Sequence, residues 1–310
     1  MKIGKILNKI NEGKRPIVAV TKSDFESLYF KLNKIVDLLG GLQIDNKHVV
    51  IKINLCDART PETGAITHPL VLEALLRLLR ERYENLKISV VESDATVVLA
   101  NDFIKWFGFE GVLKKWEAKF INLSEIESEK IKLDGKRIKE LAIPKLLIDN
   151  IFFISLAKLK TNILTKISCS LKNQFGCLPD VEKSIYHPFL DEVIAEINYL
   201  IKPNFSLVDG IIAMGGAQGP AYGIPIRANL IIGGKDPVAV DAYCARLIGF
   251  SPYLVGHIRK SFEKGIGSMK YEVVGEKIAS LNFEVNKFEM ILFRWGSNLK
   301  RKLTKNYRNN

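Results

Sequence analysis

Apolar and polar positions alternate along this chain in blocks that read as strands and helices in turn. Val49 to Ile53 is an apolar, β-branched run broken by Lys52, and predicts a strand. Leu72, Leu75, Leu76 and Leu79, widened by Val71 and Leu78, form one face of a helix over Pro69 to Tyr83. Thr67 or His68 caps it, and Pro69 sits in its first turn. Ile88 to Val91 is the next strand, Leu99 to Phe107 and Glu110 to Trp116 are short helices, and Lys119 to Leu123 is a strand. Ile131 to Ala142 reads as a hairpin around Asp134-Gly135, a two-residue turn signal. Ile151 to Leu156 is a buried strand, Thr165 to Phe175 and Pro188 to Leu200 are helical, and Phe205 to Val208 is a strand leading into glycine-rich chain. Arg227 to Ile232 is a further strand, and Asp236-Pro237 starts a helix that runs through Ile248. Strand, helix, strand at this spacing predicts an α/β fold, with a mainly parallel or mixed open sheet flanked by helices and a β-hairpin insertion.

Charge adds information about the ends. The 310 residues carry a formal net charge of +12. Residues 1–15 hold +4 of it and residues 294–310 hold +6, so the body between them is at +2. Both ends step their apolar residues by three or four, as in Ile3, Ile6, Leu7 and Ile10, and read as basic amphipathic helices. The expected organisation is one α/β domain over 16–285 with basic extensions at 1–15 and 286–310. The nearly neutral body argues against a nucleic-acid-binding domain and leaves weak contact with an anionic membrane to the termini. No apolar run reaches the roughly 18 residues of a spanning helix. Four cysteines without a CxxC pair exclude a disulfide scaffold and a self-contained zinc or ferredoxin motif. The expectation is a cytoplasmic protein.

Candidate chemistry gathers at the strand ends, where open α/β sheets place their ligands. The strands finish in Lys52-Ile53-Asn54, Glu92-Ser93-Asp94, Lys158-Leu159-Lys160 and Asp209-Gly210. Ionisable groups are costly to bury unpaired, so their recurrence at one edge points to a shared site. Lys52, Asn54, Lys172, Asn173 and Gly219 are candidates for binding a substrate. His68, His187, Lys158, Lys160 and Asp209 are candidates for proton transfer or for a Schiff base, and Glu92 and Asp94 for holding a divalent metal. Cys169 and Cys244 read as core, Cys56 as packing near Asn54, Asp241 as reaching either the same edge or solvent, and His48 and His257 as lacking supporting neighbours.

Several motifs occur in a fixed order: Lys52-Ile53-Asn54, Thr67-His68-Pro69, Ala157-Lys158-Leu159-Lys160-Thr161, Ser170-Leu171-Lys172-Asn173 with Gly176, then His187, Val208-Asp209-Gly210, Gly219-Pro220 and Asp236 to Asp241. With them the chain resembles the family called domain of unknown function 362, over roughly residues 45–250. The resemblance implies an iron–sulfur association, since many members carry an additional ferredoxin-type cysteine segment. This chain lacks that segment, so an intrinsic cluster is not expected. The resemblance also implies a fold related to the first domain of nickel-dependent lactate racemases.

The function expected is an enzyme acting on a small carboxylate or phosphate at the carboxyl edge of the sheet. Lysines bind the anion there, and histidine and carboxylate groups move protons. Two other readings stand beside it. One is a redox protein using a partner's or an intersubunit cluster. The other is a peripheral adaptor acting through the basic ends.

Overall fold

The computed structural model describes residues 15–45, 48–135, 137–216 and 222–285. The expected amphipathic ends and Gly219 lie outside these residues. The strands are β1 (Ile17–Lys22), β2 (His48–Lys52), β3 (Lys87–Glu92), β4 (Lys119–Asn122), β5 (Ser128–Lys132), β6 (Glu140–Pro144), β7 (Phe152–Asn162), β8 (Lys166–Ser168), β9 (Phe205–Gly215), β10 (Ile224–Gly234) and β11 (Glu272–Gly275). The helices are α1 (Leu28–Leu38), α2 (Pro69–Arg82), α3 (Ala100–Trp106), α4 (Phe109–Lys115), α5 (Lys145–Ile148), α6 (Ser170–Asn173), α7 (Leu190–Leu200), α8 (Pro237–Leu247) and α9 (Gly256–Glu263).

The main sheet runs β11-β1-β10-β9-β7-β2-β3-β4, with β8 paired to β7. The five strands β9, β7, β2, β3 and β4 are mutually parallel, while β10 runs antiparallel to both β9 and β1. This is the mixed, mostly parallel open α/β sheet that the alternating pattern predicts, with β5 and β6 as a separate hairpin.

Side-chain alternation sorts the core into faces. Ile51, Val90, Ile154, Phe205, Leu207 and Ile231 point to one side and pack on α1 and α2. Helix α2 buries Leu72, Leu75, Leu76 and Leu79 there, each worth about 1.5–3 kcal/mol of apolar transfer. On the other side Val18, Val20, Ala157, Leu159, Val208 and Ile232 meet α8 and α9, and Val50, Val91 and Phe153 meet α7 and the hairpin.

Several expectations are corrected. The hairpin is present, but Lys132 pairs with Glu140 and Leu133 N–H bonds Lys139 O, so Asp134-Gly135 opens a longer loop instead of forming a two-residue turn. The segment 165–175 is not one helix. Residues 166–168 pair with the end of β7, and only Ser170–Asn173 is α-helical before a 3-10 turn over Gln174–Cys177. The next helix starts at Leu190, after a 3-10 segment over Lys183–Phe189 that contains Pro188. Strands β7 and β9 both run to 11 fully buried residues. Their lysine and aspartate tails read as polar strand ends, but tertiary pairing carries the strands through them.

A candidate anion site at the carboxyl ends of the sheet

The chain reverses its direction of travel across the sheet between β2 and β7. From β2 it builds outward to β3 and β4, then crosses the hairpin and returns to lie on the other side of β2. That is a topological switch point, where the crevice beyond the carboxyl ends receives ligands. Strand β7 starts level with β2 but continues beyond it, since Lys52 already pairs with Ser155. Lys158 and Lys160 therefore project past the end of β2, on the α2 side of the sheet.

Lys158 and Asp209 are direct neighbours in the parallel register of β7 and β9. Their side chains meet at 2.7 Å and both are 0 % exposed. The two strands lose register immediately afterwards, Lys160 facing Met214. Asp209 Oδ1 accepts the Ile211 N–H at 3.2 Å within that irregularity, and Oδ2 accepts the His68 N–H at 3.0 Å. Burial pushes the Lys158 ammonium down from its ordinary value, and the Asp209 carboxylate beside it opposes that. The pair is thus neutral as a unit, with the carboxylate further satisfied by two backbone amides.

Lys52 and Glu92 form a second sealed pair at 2.6 Å. Glu92 also accepts the Leu55 and Ser93 amides at 2.8 and 3.0 Å. This pair explains Gly176: a Cβ there would lie 2.6 Å from Glu92 Oε1 and 2.7 Å from Lys52 Nζ. Lys183, which the sequence did not single out, closes the same corner by donating to the backbone oxygens of Asp94 and Asp180.

Among the described residues Lys160 has no carboxylate partner. It donates to Asn54 Oδ1 and Ala65 O, both at 2.7 Å, and to Cys56 Sγ at 2.9 Å. Asn54 Nδ2 donates to Asn173 Oδ1 at 3.1 Å, and Asn173 Nδ2 donates to Lys52 O and Ser155 Oγ at 3.0 and 3.1 Å. Thr67 Oγ1 accepts from Asn54 N and donates to Leu156 O, which fixes the loop after β2 onto β7. The two asparagines therefore join β2, β7 and α6 at the seam between the two faces of the sheet.

Lys172 on α6 differs from the other lysines. Among the described residues its ammonium makes no hydrogen bond and no ion pair. The side chain is half-buried, and burial, reinforced by the charge of Lys160, lowers it to about 8, with Cys56 and Asp191 pulling the other way. Its helix is held firmly. Asp241 accepts the Ser170 and Leu171 amides at 2.8 and 3.1 Å, and Asn198 Nδ2 donates to Leu171 O at 2.8 Å. Asp241 thus reaches neither solvent nor the open edge; it is fully buried, and burial raises its carboxyl to about 8. His257 is corrected too. It is buried between Asp191 (3.7 Å from Nδ1) and Asp241 (3.9 Å from Nε2), and burial, with Lys172 nearby, lowers its pKa.

The remaining predicted residues are placed as follows. His68 caps α2 through Nδ1, which accepts the Leu70 amide at 3.2 Å, and its ring lies on Phe25 at 4.3 Å. Desolvation lowers its pKa, so the neutral ring carries its proton on Nε2, facing Glu62 at 3.8 Å. His187 sits on the 3-10 segment after Lys183, 6.5 Å from the Phe175 ring. Asp94 accepts the Ala100 amide and Asn122 Nδ2. Among the described residues no three His, Cys, Asp or Glu side chains are grouped to hold a metal. The cysteines do not fit a cluster either. Cys169 and Cys244 are buried beside each other, Cys177 is buried near Lys52 and Glu92, and Cys56 is exposed at Lys160.

The chain is 27% identical over 238 residues to the thylakoid-associated protein sll1697 of Synechocystis sp., covering 73% of this chain and 71% of that protein. A lactate racemase apoprotein from Thermoanaerobacterium thermosaccharolyticum superposes with a TM-score of 0.41 at 15% identity, covering 76% of this chain. The chain spans 57% of the length of that racemase. No helix among the described residues is long and apolar enough to cross a membrane. The family model described as Domain of unknown function (DUF362) matches residues 49–246, which take in Lys52, Asn54, Lys158, Lys160, Lys172, Asn173 and Asp209, and the chain belongs to that family.

Proposed function

We propose that this chain is an enzyme that takes a small carboxylate- or phosphate-bearing substrate at the carboxyl ends of β2 and β7, beside Cys56, Lys160 and Lys172. The observation that carries this reading is the charge balance of the cluster. Lys52 and Lys158 are neutralised by Glu92 and Asp209, whereas Lys160 and Lys172 have no carboxylate within ion-pair distance among the described residues. Two neighbouring cations left without a counter-ion in a low-dielectric corner repel each other, and a small anion relieves that repulsion. Lys160 supplies a fixed positive charge, and Asn54 and Asn173 hold its geometry. Lys172, the group with unspent donors, meets the substrate directly. The neutral His68 ring, at the start of α2 beside Asp209 and Lys158, is a group suited to moving a proton.

The test is thermal unfolding in a series of inorganic phosphate and glyoxylate concentrations. The wild-type protein should gain a saturating increase in Tm. Lys172→Met and Lys160→Met, checked for folding by circular dichroism, should lose it. A saturating increase that survives in both variants, or its absence from wild type, overturns the reading.

A further inference from the structure

We propose that Lys172 forms an imine with a carbonyl-bearing acid, so that the substrate class is small oxo acids, held by the charge of Lys160 while their carbonyl carbon meets the Lys172 amine. The inference rests on the anion site proposed above and concerns what that site does with its ligand.

The geometry separates two tasks. Lys160 has spent all three ammonium donors on Asn54, Ala65 and Cys56, which holds it in place and leaves its charge as its contribution. Lys172, by contrast, has spent none among the described residues. It sits on a turn that Asp241 and Asn198 clamp from two different helices, so its base cannot drift toward a partner. A lysine that only bound anions would serve best fully charged. The groups around this one work against that: Lys160 from β7 and the half-buried site lower it, while Cys56 from the loop after β2 and Asp191 from α7 oppose this only in part. His257, from α9, is itself held neutral by burial and adds no positive charge. The outcome is a substantial fraction of neutral, nucleophilic amine near neutral pH, next to the Lys160 ammonium.

The step balances without an oxidant. The Nζ lone pair adds to the carbonyl carbon, the carbonyl π pair moves to oxygen, and a proton passes from nitrogen to that oxygen to give the carbinolamine. Loss of the hydroxyl with a second proton, as water, gives the imine, and water reverses it.

Glyoxylate with sodium cyanoborohydride tests this on the full chain, because reduction of the imine leaves a stable carboxymethyl group on nitrogen that peptide mass spectrometry locates. Labelling at Lys172 should exceed that of any exposed lysine by at least about tenfold at pH 7, since each unit of lowered pKa gives a factor of ten in neutral amine. The neutral-amine dependence of its rate should have its midpoint near pH 8. Lys172→Arg, which keeps the charge, should lose the label and still gain Tm from phosphate. Labelling spread evenly over surface lysines, or none at Lys172, overturns the imine even if glyoxylate raises the Tm. Selective labelling without any anion-dependent Tm gain would instead remove the anion site and leave the reactive amine.

Discussion

Lys158 and Lys172 lie in the same polar seam and were built for opposite ends. Lys158 enters on a central strand and finds Asp209 directly across the register, so its charge is cancelled and sealed from water. Lys172 enters on a four-residue helix between the short strand β8 and a 3-10 turn, half-buried and with no partner among the described residues. The difference teaches that a buried lysine in an α/β crevice is not by itself a functional one. Whether a carboxylate stands opposite decides if the group stabilises the fold or is left for a ligand.

Asp209→Asn should have the largest effect, because it leaves the Lys158 ammonium buried without its counter-ion. A loss of about 3–5 kcal/mol in urea unfolding is expected, and Lys158→Met in the same background should return part of it. A loss under about 1 kcal/mol would mean that Lys158 is not a structural lysine and would dissolve the contrast.

Gly176→Ala tests the other sealed pair. The new Cβ would press on Glu92 Oε1 and Lys52 Nζ, costing about 1–3 kcal/mol. The cost should shrink when Lys52→Met and Glu92→Leu are made together, as a double-mutant cycle would read. An unchanged cost in that background would show that Gly176 is constrained by something other than the pair.

Lys172→Met should not destabilise the protein at pH 7, since it removes a charge that is costly to bury, while it removes the phosphate-dependent gain in Tm. A large destabilisation would place Lys172 with Lys158 after all.

The remaining effect is in pH. The folded-state value of Lys172, about 8, lies below the ordinary 10.5. Between those values the unfolded chain binds more protons, so stability rises with pH across the window, and the full cost of charging Lys172 is present below about 8. Wild type should therefore gain on Lys172→Met as pH increases from 8 to 10.5. Parallel stability curves would show that Lys172 titrates like a surface lysine.

Much of this was legible in the chain. The strand tails Lys52-Ile53-Asn54 and Lys158-Leu159-Lys160 do lie together at the carboxyl ends of β2 and β7, because period-two alternation is a local reading. The start of α2 and the Asp236 cap of α8 were legible for the same reason: each cap bonds amides two or three residues away. The first strand and helix carry no such cap, although Ile17 to Val20 is an apolar run. His257 and Lys183 were not legible. His257 meets Asp191 and Asp241 from other helices, and Lys183 follows Asp180 and Glu182 in a stretch that reads as a solvated surface.

Alternation along the chain carries the α/β class and the polar residue types that gather at the carboxyl edge. Contacts between distant segments set which of those residues cancel one another. Asp209 meets Lys158, Glu92 meets Lys52, and Lys160 and Lys172 are left over, because strand register and the switch point bring together groups dozens of residues apart. Periodicity records the face on which a charge lies. The electrostatic cost or use of that charge depends on what the other chain segments place within a few ångströms of it.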